Sequence, residues 1–356
     1  MQGMLEGFEA PSTRSADVAR VLVDVDLPHM DRPLDYIVPA GLADAAVVGS
    51  LVRVRLSSAR IDGWIVERTR REVGEGTASL ESVVSSTPVL APSIYETARR
   101  IAARFLATTS QVLSLAIPPR HARAEREARD ENAPTWPTVT SDHVGLGWEA
   151  YPAGEALVSR LRAGESPRAI ATMLRPRLRG CLSEAVASTV ASRRSVIVVT
   201  ATGEQAGRYA RELSEDLSIP VSLAGSEVAA EKRYRLHVAA SLGRVPVVVG
   251  TRSAVWVPCS RLGLIIIVDD GDDRLRERRF PRCDALDVAV QRCAVEGSGL
   301  LVASSARSVK AQALVRSGWA VGIEPTPQAL REATPRVHLH GSTQAEREGA
   351  GGLMRI

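Results

Sequence analysis

Apolar and polar positions along this chain follow two rhythms, and the change from one to the other divides it. Early on they alternate with a period of two. Residues 18–26 alternate, Leu34–Val38 follows a turn built from L-P-H-M-D-R-P, and Val47–Leu56 and Ile61–Arg68 alternate again. Short strands separated by Pro and Gly predict a small β-barrel or OB-like module. Ile94, Ala98, Ile101, Ala102 and Phe105 then recur at helical spacing, with Ser93-x-x-Glu96 as the expected capping box. Pro118-Pro119 ends the next segment, and the charged run Arg120–Trp136 predicts a linker or an exposed helix.

From Tyr151 the rhythm becomes helix and strand in alternation. Helices are predicted over Glu184–Ala191, from Glu204, and over Ala229–Leu242, Ala285–Val295 and Val309–Arg316. Between them fall strands over Ser195–Thr200, Ile219–Leu223, Val245–Val249, Leu264–Val268 and Gly299–Ala303. This βαβ order implies a parallel sheet with helices on both faces. The expected organisation is a disordered tail over 1–17, the β-rich module over 18–118, a linker over 119–150, an α/β lobe over 151–323, and a trailing linker over 324–356.

Candidate chemistry gathers where two buried-type strands end. One opens into Gly250-Thr251-Arg252-Ser253, and the other, Leu264–Val268, runs into Asp269-Asp270-Gly271-Asp272-Asp273. Paired carboxylates at a strand end are where nucleotide-handling proteins hold magnesium beside phosphates. The phosphate-cradling G-K-[ST] is missing, since the two lysines, Lys232 and Lys310, follow Glu and Val. Without it, a solvated loop or helix cap is the favoured reading of the aspartates. Arg252 either contacts a DNA backbone with Thr251 and Ser253 or bridges to a neighbouring carboxylate.

Composition narrows the partners. With 356 residues, 45% hydrophobic and 24% charged, the chain can hold two or three globular domains. No apolar run approaches the roughly 18–20 residues of a membrane span, and Met1–Asp17 lacks a signal peptide's apolar stretch. The expected location is therefore cytoplasmic, with no membrane partner. Net charge is only +4, so affinity for polyanions must come from local patches. Arg274, Arg276, Arg278, Arg279 and Arg282 crowd one loop with Glu277 alone opposing them, a candidate phosphate-facing patch. Cys181, Cys259, Cys283 and Cys293 show no C-x-x-C pair and no His at zinc-ligand spacing. They read as buried thiols in a reducing compartment, and no metal site is expected. Trp64 and Trp256 lie in apolar stretches and are expected in the core.

Three sets of residues resemble one family. Arg32-Pro33-Leu34-Asp35-Tyr36 is similar to an R-x-F-D-Y segment, and Gly49-Ser50-Leu51-Val52-Arg53-Val54 to a G-x-x-V-x-V strand. G-T-R-S-A-V-W-V-P, L-G-L-I-I-I-V-D-D, Pro281-Arg282 with Asp287–Val290, and Ala303–Ser308 follow in the order of helicase motifs. Together they resemble PriA, the family of bacterial replication-restart DNA helicases. The resemblance implies a 3′-DNA-end-binding module followed by a RecA-like helicase lobe. It would place Asp35, Tyr36 and Gly49 in the 3′-end pocket, where a carboxylate accepts from the terminal hydroxyl and repels a phosphorylated end. Leu34 replaces the family's aromatic, which weakens base stacking. It would also place Thr251, Arg252 and Ser253 on DNA.

The departures from the family concern its motor. The glycine nest position falls near Leu174-Arg175-Pro176-Arg177-Leu178, where Pro supplies no N–H and bulky residues block close approach. The family's D-E-E-H is Asp269-Asp270-Gly271-Asp272, shortening the base and removing the coupling His. A second lobe and a zinc-binding cysteine cluster are not found in the sequence, so the chain is expected to be either a fragment or truncated product of a longer one or a form that has lost that lobe. The lobe is therefore expected to be degenerate, with no catalytic residue assigned among Asp269, Asp270 and Asp272 and with ATP/Mg binding doubtful. The expected partners are forked DNA with a free 3′ end and primosome or helicase-loading proteins. Two rivals stand beside this reading: an active DNA-stimulated ATPase with a non-standard site, and a doubly wound small-molecule enzyme such as a methyltransferase.

Overall fold

The computed structural model describes residues 13–335 apart from 75, 133–134, 140–146 and 226–227. The expected N-terminal tail and trailing linker thus lie largely outside the described residues. Thr13–Asp17, placed in the tail by sequence, instead opens the first strand.

Five strands form the first sheet: β1 (Thr13–Val23), β2 (Leu34–Ile37), β3 (Leu51–Leu56), β4 (Ala59–Gly74) and β5 (Ser82–Ser85). Their order is β2-β1-β4-β3-β5, with every pairing antiparallel. The edges are drawn together by the chain entering β5. The Ile37 amide donates to Ala78 O at 2.8 Å and the Leu80 amide to Ile37 O at 3.0 Å, while the Glu81 amide reaches Arg53 O at 3.0 Å. One segment thus meets the edge strand β2 and then β3 before becoming β5, and the sheet curls around Val21, Tyr36, Val52, Val54 and Ile65. These bonds cover the β2 edge at Ile37.

Three helices follow: α1 (Pro92–Phe105), α2 (Thr109–Ala116) and α3 (Ala122–Asp130). α1 begins one residue before the expected capping box. Pro92 sits in the first turn behind Ala91, and Glu96 pairs instead with Arg99 and Arg100. Proline's fixed φ and missing N–H suit that first position, so no side-chain cap is needed. α2 carries a true capping box, Thr108 with Gln111. The charged stretch after Pro119 does form a helix, α3, and it buries Ala124, Glu125 and Ala128 against the second module.

That module is a seven-stranded, all-parallel sheet of order β12-β6-β11-β10-β7-β9-β8. Its elements are α4 (Gly154–Arg162), β6 (Arg168–Thr172), α5 (Leu178–Ala191), β7 (Ser195–Val199), α6 (Gly203–Leu217), β8 (Val221–Ala224), α7 (Ala230–Ser241), β9 (Val247–Gly250), β10 (Leu262–Val268), α8 (Ala285–Glu296), β11 (Gly299–Ser304), α9 (Val309–Arg316), β12 (Val321–Ile323) and α10 (Pro327–Ala333). β7, β9, β10 and β11 are buried at every position. This explains their unbroken runs of Val, Ile and Leu, since a parallel sheet is covered on both faces. α4, α5 and α6 cover one face; α7, α8 and the helices α1–α3 cover the other. Trp64 and Trp256 are both buried.

Buried polar groups join the two modules. Glu125 accepts from Arg120 Nε (2.8 Å), Ser85 Oγ (2.7 Å) and Tyr234 OH (3.0 Å). His237, also on α7, meets Val89 O at 2.7 Å through Nε2, which makes Nε2–H the donor. Burial pushes the His237 imidazole down to about 4.

Candidate nucleic-acid interface

The parallel sheet aligns the carboxyl ends of β6, β10 and β11 as neighbours, and the motor-like residues meet there. β6 turns through Arg175–Arg177 into α5, the strand-to-helix junction where a phosphate nest would lie. Arg175 Nη2 instead reaches across to Asp269, 3.2 Å away. Asp269 has a positive φ of 55°, so the chain bends sharply as it leaves β10. Asp270 accepts from Ser304 Oγ at 2.7 Å and from Ser308 Oγ, and its own amide donates to Ser304 Oγ at 3.0 Å. Asp272 takes both ends of the Arg274 guanidinium, at 2.9 and 2.6 Å, and caps the turn that follows. The Arg274 bond holds the Asp272 carboxyl below its ordinary range.

All three carboxylates are therefore occupied by groups of the chain itself. Among the described residues, no cluster of three His, Cys, Asp or Glu side chains is set to hold a metal ion. A magnesium nucleotide does not fit this donor set: Arg175 lies against one carboxylate, two hydroxyls hold the second, and Pro176 replaces a backbone donor. The Asp272 contact is the cap expected for such a loop.

One turn further on the balance of charge reverses. Glu277 accepts from the Arg278 and Arg279 amides at 2.8 and 3.0 Å and from Arg252 Nε at 3.2 Å. Burial works to raise its carboxyl, but the Arg279 amide and the Arg252 guanidinium hold it below the ordinary range. Arg276, Arg278 and Arg282 remain exposed with no carboxylate within ion-pair distance among the described residues. Phe280, between them in sequence, is 52% exposed. Glu277 ties this loop to the turn after β9, so Arg252 does bridge to a carboxylate, while Ser253 faces solvent and Thr251 is buried. That turn needs Gly250, because a Cβ there would lie 1.7 Å from Ala224 O. Arg292, wholly buried on α8, braces it from behind by donating to Val255 O (2.6 Å) and Val257 O (3.0 Å) while pairing with Glu296.

In the barrel the three expected pocket residues are not brought onto one wall. Asp35 and Tyr36 are successive residues of β2 and face opposite ways, as a pleated strand requires. Tyr36 is packed in the barrel core with its OH on Arg55 O at 3.3 Å, whereas Asp35 is 38% exposed on the outside. Gly49, at φ +90°, pins the chain after β5 by accepting from the Val89 and Leu90 amides, and a Cβ there would meet Leu90 O at 2.6 Å. Arg20, Arg71, Phe280 and Arg292 were not singled out by sequence alone. Strand register identifies the first two, and none of the four stands out by composition.

All four cysteines are free and buried; burial pushes Cys181, Cys259 and Cys283 up to about 12 and Cys293 to about 11, well outside the range of reactive thiols.

The fold is thus of the class that joins a small antiparallel β module to a doubly wound parallel-sheet α/β lobe, here with an arginine-rich loop at one strand end. Comparison makes it specific. Residues 20–118 match the 3′DNA-binding domain (3′BD) of PriA. The "Probable replication restart protein PriA" of Mycobacterium tuberculosis (strain CDC 1551 / Oshkosh) is 37% identical over 88% of this chain and 48% of its own length. The protein of the same name from Mycobacterium leprae (strain TN) is 32% identical over the same shares. The "Replication restart protein PriA" of Treponema pallidum (strain Nichols) is 33% identical over 26% of this chain and 14% of its own. The chain is thus related to the replication restart protein PriA across most of its residues, and it spans about half the length of its mycobacterial relatives. A structure of RecG bound to a three-way DNA junction overlaps 66% of this chain and 29% of that one at 14% identity and a TM-score of 0.35, too loose to carry an assignment. No helix among the described residues is long and apolar enough to cross a membrane.

Proposed function

We propose that this chain binds forked DNA of the kind met in replication restart, taking a free 3′ end on the barrel and the sugar-phosphate backbone on Arg252 and the Arg276–Arg282 loop, without driving unwinding by ATP. The carrying observation is the contrast at the sheet's end. The carboxylates that would hold magnesium are consumed by Arg175, Ser304, Ser308 and Arg274, while three arginines nearby have no counter-charge. Uncompensated cations beside an exposed aromatic suit single-stranded nucleic acid, which offers phosphates and base faces together. Primosome or helicase-loading partners and a cytoplasmic location are carried over from the sequence resemblance and belong to the same proposal.

Fluorescence anisotropy with two forks tests the reading, one with an open 3′ hydroxyl on the leading-strand arm and one with that arm closed by a hairpin. Tighter binding to the open fork is expected, with no ATP hydrolysis in the presence of either. Equal binding to both would sink the 3′-end assignment. Fork-stimulated release of phosphate from ATP would establish the active ATPase in its place.

A further inference from the structure

A cleft of about 680 Å³ opens at the amino end of β10, where the segment leading into α1 meets the loop before that strand. β10 has seven residues, so at about 3.3 Å per residue the cleft lies roughly 20 Å from the aspartates at the strand's other end. The proposed fork contacts make no use of it. A volume in this range suits a small organic molecule. The walls are apolar, with Pro88, Leu90 and Pro92 on the approach to α1 and Pro258 and Leu262 on the approach to β10.

The charge left open in the cleft is of one sign. Arg194 donates to four carbonyls, those of Gly164, Glu165, Leu262 and Gly297, and to Ser166 Oγ. These acceptors occupy its hydrogens but bring no full negative charge. Arg261 lines the same cleft, is exposed, and has no carboxylate within ion-pair distance among the described residues. Burial holds the Arg194 guanidinium below its ordinary range, and the neighbouring charge of Arg261 acts in the same direction. Glu296 also reaches the cleft, but Arg292 takes both of its oxygens, at 2.6 and 3.2 Å. Two like charges held together are unfavourable until an anion lies beside them.

Charge and shape together narrow the ligand. A dianionic phosphate answers two guanidiniums where a single carboxylate answers one, and the whole fork of Arg261 is free to bind it. Proline rings present rigid apolar faces that suit a flat base, and Ser241 and Ser260 offer hydroxyls to a sugar.

We propose that this cleft binds a nucleoside monophosphate, with the phosphate on Arg261 beside Arg194 and the base against the proline-bearing walls. The arginines supply the countercharge, so no magnesium is required. The site is separate from the carboxylates at the far end of β10 and from the basic loop.

Isothermal titration of the full chain in EDTA tests it, with adenosine 5′-monophosphate, adenosine and inorganic phosphate as separate titrants. One site with a dissociation constant on the order of 0.1–1 mM is expected for the monophosphate. Adenosine and inorganic phosphate should each bind at least about tenfold more weakly, because each carries only part of the recognised chemistry. Arg261→Ser should weaken the monophosphate about tenfold, the loss of one charge-assisted contact. Arg261 is exposed and unpaired, so this variant should leave the fold intact. Ser241→Trp fills the cleft without altering either arginine, and it should abolish binding. No saturable heat from the monophosphate at about 5 mM would overturn the site, as would undiminished binding in either variant. Inorganic phosphate binding as tightly as the monophosphate would also overturn it, because the apolar walls would then contribute nothing. Fork binding is read by a separate titration, so its success or failure leaves this outcome unchanged.

Discussion

The carboxylates that end β10 and the arginines of the next turn are separated by only a few residues, yet they have opposite fates. Asp269, Asp270 and Asp272 are each held by a guanidinium or by hydroxyls of the same chain. Of the five arginines that follow, Arg274 is taken by Asp272 and Arg279 lies 3.8 Å from Glu277, leaving Arg276, Arg278 and Arg282 open. A charged side chain is evidence of ligand binding only to the extent that its own fold leaves it unanswered. By that measure the acidic cluster joins β10 to β11 through its own hydrogen bonds, while three arginines of the basic loop keep no carboxylate partner among the described residues.

The strongest test of the comparison removes what holds the open side in place. Arg292 is buried with two backbone carbonyls and Glu296 as partners. Arg292→Met would leave Glu296 a buried charge without its partner and should destabilise the chain by roughly 3–5 kcal/mol, read as a fall in denaturation midpoint. If the turn after β9 contacts DNA, fork affinity should also drop where the variant is still folded. Retained affinity would detach that turn from the interface.

The next largest effect concerns the frame on which barrel and lobe both sit. His237 is neutral when folded, with its imidazole pushed down from 6.5 to about 4. The unfolded chain therefore binds a proton that the folded chain refuses. The stability contributed by the neutral imidazole is present above about pH 6.5 and is lost as pH falls through 4, by an amount on the order of 3 kcal/mol. Melting at pH 7 and pH 4.5 should show the loss, and His237→Gln should flatten it. An unchanged pH dependence in the variant would place the acid sensitivity elsewhere.

The basic loop itself comes third. Replacing Arg276, Arg278 and Arg282 together by Ser should weaken fork binding between about 10- and 100-fold and lower the salt slope by about 0.7 for each single-strand phosphate no longer neutralised. Arg274→Ser is the matched control, because Asp272 already answers that charge, and it should change affinity less than about twofold. Equal losses from both variants would erase the distinction between answered and open arginines.

How far the sequence displayed these features depended on whether a feature is local. The buried strands of the lobe were legible because a parallel sheet makes them continuously apolar, and the barrel because its strands alternate. β6 and α4 were missed: R-A-I-A-T is short and opens on a charge, and α4 is a nine-residue helix between loops. The Asp269–Asp273 cluster and the Arg274–Arg282 run were visible as letters, but their partners were not, since Arg175 lies 94 residues from Asp269 and Ser304 lies 34 from Asp270. Asp35 and Tyr36 were grouped through the family resemblance of their segment, although alternation in β2 sends them to opposite faces. Only strand pairing brings Arg20 and Arg71 to Asp35.

The smallest effect bears on the acidic side. Asp270→Asn keeps one acceptor oxygen for Ser304 or Ser308 and removes the charge that strengthens both bonds. A hydrogen bond to a charged group contributes about 1.5–3 kcal/mol and a neutral one about 1, so the net loss should be near 1 kcal/mol, a fall of about 2–4 °C in Tm. A structural joint predicts that loss with and without magnesium and ATP, because neither has a place to bind. A nucleotide site predicts the opposite pattern: magnesium ATP would raise the Tm of the unaltered chain, and Asp270→Asn would abolish the rise. Melting both proteins with and without magnesium ATP therefore decides whether the carboxylates at the end of β10 belong to the fold or to a ligand.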